Sequence, residues 1–292
     1  MHHNSVVIQL EGGAGASMAR RIVSSVVVVS AAVVLGGCSG SGAAGGPGTA
    51  HGQVSPAEMQ RLQQVHQSCS QNSGRLTQYI GVDLSGSGAA SSIEDDRDKR
   101  LRSVVEKVAV CGGDLHVVGF TSSVAATAVL FDGALNPTGA TDNARLRSVP
   151  GLVDKAIGDI DTALAKAEGI LDRNGSDITA QYGLASEIFG LKQATGAPQT
   201  FALDLLTDGV QTVGANLNTA ELTKATATEF ARQLSAPSLP AGTQVTLSGI
   251  GRTAGTAAPT DYVDALKTFH STFCERATGS AQSCDVVTDA TT

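Results

Sequence analysis

Tryptophan is absent from this 292-residue chain, and aromatic residues make up only 3% of it. A core with so few rings is built from Val, Leu, Ile and Ala, and the stacking platforms that often hold sugars or bases are scarce. The formal net charge is −7, with no Lys/Arg-rich patch after the leader. That excludes the electrostatic footprint of a nucleic-acid binder and makes a strongly anionic lipid surface a poor partner. No Cys-x-x-Cys pair occurs, so a structural zinc site is not indicated. A nucleophile elbow, a His-Glu-x-x-His helix and a P-loop are also missing. His66 and His270 have no partners at ligand spacing, and His116 lies in an apolar run, where it reads as a core or edge residue. Nothing here supplies the nucleophile or general base of a hydrolase, so the chain reads as a non-enzyme.

The opening of the chain has the marks of an export leader. Arg20-Arg21 precedes an apolar run over residues 22–35 that ends at Leu35-Gly36-Gly37-Cys38. A basic start, a short apolar stretch and small residues at the cut site describe a signal peptide, here residues 1–37. The run is too short to span a bilayer comfortably. Glu11 and the absence of Lys or Arg before Arg20 are odd for such a leader, and a start at Met18 gives a cleaner one. Leu-Gly-Gly-Cys resembles a bacterial lipobox, which implies a lipid on Cys38 and cleavage just before it. Residues 38–54, rich in Gly, Ala and Ser, form a flexible tether with nothing to bury. Residues 55–292 suit one large α/β domain held at the outer face of a cell membrane.

Four cysteines remain after Cys38, namely Cys69, Cys111, Cys274 and Cys284. In an exported chain they read as two disulfides, and four cysteines allow three pairings. Cys69–Cys111 is favoured, because both precede adjacent parallel strands, as is Cys274–Cys284, which would close a small C-terminal loop.

Strand and helix signals alternate along the domain. A helix from Ser55-Pro56 to about Cys69 is followed by a strand over 76–83, a helix over 92–110 and an apolar strand over 115–120. A further strand over 125–131 with an Asp132-Gly133 turn suggests one antiparallel edge hairpin. Helical spacing over 143–171, then a second helix led by Gly175-Ser176-Asp177 and ending near Leu191, precede a strand over 201–206, a helix over 219–234, a strand over 244–247 and a helix over 260–276. This order predicts a doubly wound, mostly parallel sheet with one antiparallel edge strand and helices on both faces. Asp204, inside an apolar strand, needs a buried polar partner or a loop to face.

Two apolar strands end in oxygen-bearing loops. One runs into Asp83-Leu84-Ser85-Gly86-Ser87, the other into Thr207-Asp208-Gly209. In a parallel sheet such ends share one edge, where open α/β sheets bind ligands. Alternation puts residues 83, 85 and 87 on one face, and Gly86 lets the loop curl so that their oxygens converge. One carboxylate and two hydroxyls, faced by a second carboxylate, suit a hard cation such as Mg²⁺ that keeps some of its waters. Each motif alone is weak, since Ser/Gly/Asp loops commonly do no more than make turns.

Together, and in this order, the motifs resemble those of a von Willebrand factor type A (vWA) domain over residues 76–277. The resemblance implies a vWA/Rossmann-like fold and a metal-ion-dependent adhesion site (MIDAS) holding Mg²⁺, or Mn²⁺ or Ca²⁺, on Asp83, Ser85 and Ser87, with Asp208 facing them through water. The family also supplies a Thr from an intervening loop, commonly within Gly-x-Thr. The matching stretch here is Gly175-Ser176-Asp177-Ile178-Thr179, so the hydroxyl comes from Ser176 or from Thr179. The implied activity is capture of an acidic group on an envelope or extracellular protein. The alternative is a metal-free structural or assembly adaptor.

Overall fold

The backbone alternates strand and helix because its apolar residues switch between continuous buried runs and a helical spacing. The structure, a computed structural model, describes residues 54–70, 74–86, 91–252 and 257–289, which lie in a unit spanning Thr49–Thr292. The expected leader, the Cys38 anchor and the tether up to residue 53 fall outside the described residues, as does Ser87.

Six helices and six strands carry the described fold. The helices are α1 (Pro56–Ser70), α2 (Ser91–Cys111), α3 (Asp142–Glu168), α4 (Ile178–Gln193), α5 (Lys224–Gln233) and α6 (Thr260–Thr278). The strands are β1 (Arg75–Asp83), β2 (Asp114–Phe120), β3 (Thr127–Ala134), β4 (Gln199–Leu206), β5 (Gln244–Ser248) and β6 (Cys284–Val287). They form one sheet in the order β3-β2-β1-β4-β5-β6. All neighbours are parallel except the β2–β3 pair. The fold is therefore a mostly parallel, vWA/Rossmann-like α/β sheet. The chain order reverses between β1 and β4, and a crevice opens outside the C-terminal ends of strands at such a point.

Alternation along the strands feeds two cores. Tyr79, Val118, Phe120, Leu203 and Leu205 face α4, α5 and α6, which contribute Tyr182, Phe189, Ala231, Phe269 and Phe273. Ile80, Val82, Val117 and Leu206 face the other way, toward Leu62 of α1, Val104, Val105 and Val108 of α2 and Val149, Val153 and Ile160 of α3. Each buried Val, Leu or Ile contributes roughly 1.5–3 kcal/mol of apolar burial. Asp204 does have a buried polar partner. It accepts hydrogen bonds from Gln78 Nε2 at 2.9 Å and Arg100 Nη2 at 2.7 Å. Satisfying an interior carboxylate in this way makes the whole network sensitive to loss of either partner.

Several expected boundaries shift. Asp132-Gly133 is not a turn but lies inside β3, opposite His116 and Leu115, and the Asp132 carboxylate reaches 3.5 Å from His116 Nδ1. Helix α5 begins at Lys224 rather than at residue 219, because Thr223 caps it by accepting the Thr226 N–H. The C-terminal disulfide loop is corrected more substantially. Cys284 opens β6, which adds a parallel edge strand beside β5. Both disulfides pair as the sequence favoured. Cys69–Cys111 joins the end of α1 to the end of α2, and Cys274–Cys284 fastens α6 to β6. No helix among the described residues is long and apolar enough to cross a membrane.

Candidate functional site

Asp83 is the last residue of β1, and its carboxylate stays at the sheet edge because the chain turns over it at once. Asp83 Oδ1 accepts the Ser85 N–H at 2.9 Å, an Asx turn that lifts the backbone off the sheet. Leu84 N–H still bonds Phe120 O of β2 at 2.9 Å, so the turn is anchored at its base. The segment between α3 and α4 closes over it. Gly86 N–H donates to Arg173 O at 3.0 Å, and Arg173 Nε donates to Leu84 O at 3.1 Å.

Two hydroxyls from different loops meet on the other carboxylate oxygen. Ser176 Oγ donates to Asp83 Oδ2 at 2.8 Å, and Thr207 Oγ1 donates to the same atom at 2.7 Å. Ser176 is set by its own N–H, which donates to Thr212 Oγ1 at 2.8 Å. Thr207 stands one residue beyond β4, with its N–H on Ser248 O at 3.1 Å. Its hydroxyl also accepts the Gly209 N–H at 3.0 Å. Asp83 is 6% exposed and Ser176 1%. The donors on Asp83 are an amide and two hydroxyls, all neutral. A buried carboxylate held only by neutral donors is a place where a cation is favourable.

Asp208 adjoins this centre, with Oδ1 accepting the Val210 N–H at 2.9 Å. Gly209 takes φ +82°, and a Cβ there would lie 2.9 Å from Ile250 Cδ1, so this turn needs glycine. From beneath, His270 of α6 meets Gly209 O at 2.8 Å. A carbonyl only accepts, so His270 is the Nε2–H tautomer. Burial drives its pKa down to about 4, against a smaller upward pull from the Gly209 bond. The Tyr262 phenol is pushed above its ordinary value, first by burial and then by the charge of Asp208.

The two hydroxyl candidates of the intervening loop thus separate. Ser176 reaches Asp83. Thr179 does not, since its hydroxyl donates to Asp177 Oδ1 at 3.2 Å and accepts from Gln211 Nε2 at 3.1 Å. These contacts belong to the N-terminal cap of α4, where Gln211 Oε1 accepts the Ile178 and Thr179 amides. Sequence reasoning missed Gln211, the Thr207 hydroxyl and the contact of His270 with Gly209. Thr207 was signalled by its place in the Thr-Asp-Gly motif. Gln211 and His270 act through the fold and carry no local signal.

The chemistry of the donor set fits a hard divalent cation. A hydroxyl that donates its proton to Asp83 keeps lone pairs for a metal ion, and carboxylate with hydroxyl oxygen suits Mg²⁺, Mn²⁺ or Ca²⁺. No group of three or more His, Cys, Asp or Glu is placed to hold a metal among the described residues. A cation at Asp83 would therefore lean on hydroxyls and water. Beside the centre opens a groove of about 810 Å³, lined by Ser85, Arg173, Ser176, Leu222, Pro259 and Tyr262 among others.

No protein-family model matches the sequence, and no curated protein matches it. Solved structures do show likeness. BatB, a conserved hypothetical protein from Bacteroides thetaiotaomicron, is 13% identical over 74% of this chain and 91% of its own, with a TM-score of 0.40. Proximal thread matrix protein 1 from the mussel byssus is 17% identical over 75% of this chain and 45% of its own, with a TM-score of 0.34. The pilus adhesin SpaC from Lactobacillus rhamnosus GG is 13% identical over 75% of this chain and 30% of its own, with a TM-score of 0.38. The fold is given by the strand order and register of the sheet.

Proposed function

We propose that this protein is a non-enzymatic, extracytoplasmic binding protein that captures an acidic group of a protein partner through a Mg²⁺-type cation at the Asp83 centre. The observation that carries the reading is the convergence of the Ser176 and Thr207 hydroxyls on Asp83 Oδ2 at the switch point of the sheet. In this reading Asp83, Ser85, Ser87 and Ser176 hold the cation with Asp208 behind them, and Mn²⁺ or Ca²⁺ are the alternatives. A set with so few carboxylates leaves the bound cation electrophilic, and the partner's carboxylate completes its coordination. Binding is favoured over catalysis because these residues include no nucleophile paired with a base.

The location follows from other residues. The apolar leader ending in Leu35-Gly36-Gly37-Cys38 and the Gly/Ala/Ser-rich tether support a lipid anchor on Cys38 at the outer face of a cell membrane. The two disulfides accord with an oxidising compartment. The partner is then an envelope or extracellular protein.

A metal-free assembly adaptor is the second reading, favoured by the fact that Asp83 is already hydrogen-bonded within the protein. Capture from intact cell envelopes separates the two. Metal-dependent adhesion predicts a partner retained in Mg²⁺ and lost both with EDTA and with Asp83→Ala. Retention through both treatments would establish the adaptor.

A further inference from the structure

The cation centre accounts for one end of the groove, but Arg173 lines the same groove and makes no contact with the Asp83 carboxylate. Its backbone and side chain both grip the loop after β1, through Gly86 N–H to Arg173 O and Arg173 Nε to Leu84 O. One edge of the guanidinium is spent on that contact. The two Nη groups have no hydrogen bond or ion pair among the described residues. The neighbouring carboxylate, Asp172, forms no ion pair with Arg173 among the described residues, and its Oδ1 accepts the Asn174 amide at 3.1 Å and Asn174 Nδ2 at 2.8 Å. Arg173 is half-buried and held at a fixed place beside Ser85 and Ser176. A pre-oriented guanidinium with a free outer edge is suited to receive a carboxylate.

Resting on the proposed cation-dependent capture, we infer that Arg173 is a second anion-binding point in the groove, so that the ligand is a peptide segment carrying two carboxylates. One carboxylate is taken at the Asp83 centre and the other at the Arg173 guanidinium. Arg173 thereby sets specificity, since an acidic pair gains a charge-assisted bond that a lone Asp or Glu does not. The fixed link to Leu84 O means that little ordering entropy is lost when the second bond forms.

The test uses the full chain in Mg²⁺ with capped synthetic hexapeptides, titrated by fluorescence anisotropy. One peptide carries a single Glu, and others carry a second Glu one, two or three residues on. The expected result is that at least one two-Glu peptide binds about tenfold tighter than the one-Glu peptide, the size of one charge-assisted bond. In Arg173→Gln that preference falls to about twofold, the statistical factor for two equivalent acids, while Arg173→Lys keeps part of it as a point charge. A peptide with Lys in place of the second Glu, tested on the unaltered chain, binds more weakly than the one-Glu peptide. Mg²⁺-dependent binding of the one-Glu peptide without any two-Glu preference would overturn this inference alone. A preference that survives Arg173→Gln would do the same. No Mg²⁺-dependent binding of any peptide would overturn the capture reading and this inference with it.

Discussion

Acidification should loosen this fold through His270 in particular. The ring is fully buried in α6, it donates to Gly209 O, and its Nδ1 has no hydrogen-bond partner among the described residues. The titratable group stays neutral because burial pulls its pKa from 6.5 to about 4. The unfolded chain therefore binds a proton in a range where the folded chain does not. Stability from the neutral ring is complete above about pH 6.5, falls as the pH drops, and is wholly lost below about pH 4. The full difference is roughly 3 kcal/mol, of which about 2 kcal/mol is lost between pH 7 and pH 5. Urea unfolding of the full chain with its disulfides intact, followed by circular dichroism at both pH values, reads this directly. His270→Gln keeps an N–H for Gly209 O without a titrating ring, so its stability should fall by about 2 kcal/mol less over the same interval. An equal loss in the two proteins would mean that the ring titrates alike in the folded and unfolded states and that burial does not hold it neutral.

Other perturbations probe the site and its frame. Ser176→Ala should weaken Mg²⁺ binding about tenfold, the size of one lost charge-assisted bond, while Thr179→Ala leaves it unchanged, as read by isothermal titration calorimetry. Loss of the Cys69–Cys111 bridge, whose ends are separated by 42 in sequence, should cost about 4 kcal/mol on loop-closure grounds, and loss of Cys274–Cys284, separated by 10, about 3 kcal/mol. Denaturation of the Cys→Ala pairs checks that order. Asp204→Ala takes the carboxylate from the half-buried Arg100 guanidinium and should cost about 3 kcal/mol in the same assay, with Asp204→Asn milder.

The sheet was legible because its strands are continuous apolar runs, and β2 with β3 reads as a hairpin from the short link between two such runs. β6 was not, since Cys284-Asp285-Val286-Val287 is short and half polar, and it forms a strand only because the exposed side of β5 is there to pair with. Asp132-Gly133 has turn composition, yet pairing with β2 and packing by α3 hold it extended. At the site, the two strand-end motifs mark the correct edge, because the residue before a loop on a parallel strand needs no tertiary information to be placed. The choice between Ser176 and Thr179 did need it. Both hydroxyls fall in one short loop, and only the folded positions of Thr212 and Gln211 decide which one turns toward Asp83. His270 lies 61 residues from Gly209, and no local pattern in α6 announces the contact.

Whether the Asp83 oxygens hold a divalent cation, as proposed, is decided by calorimetric titration of the full chain with Mg²⁺. The expected result is saturable one-to-one binding that Asp83→Ala abolishes, with the far-ultraviolet circular dichroism of that variant unchanged. The absence of saturable binding of Mg²⁺, Mn²⁺ and Ca²⁺ to the unaltered chain, or binding that survives Asp83→Ala, would contradict it.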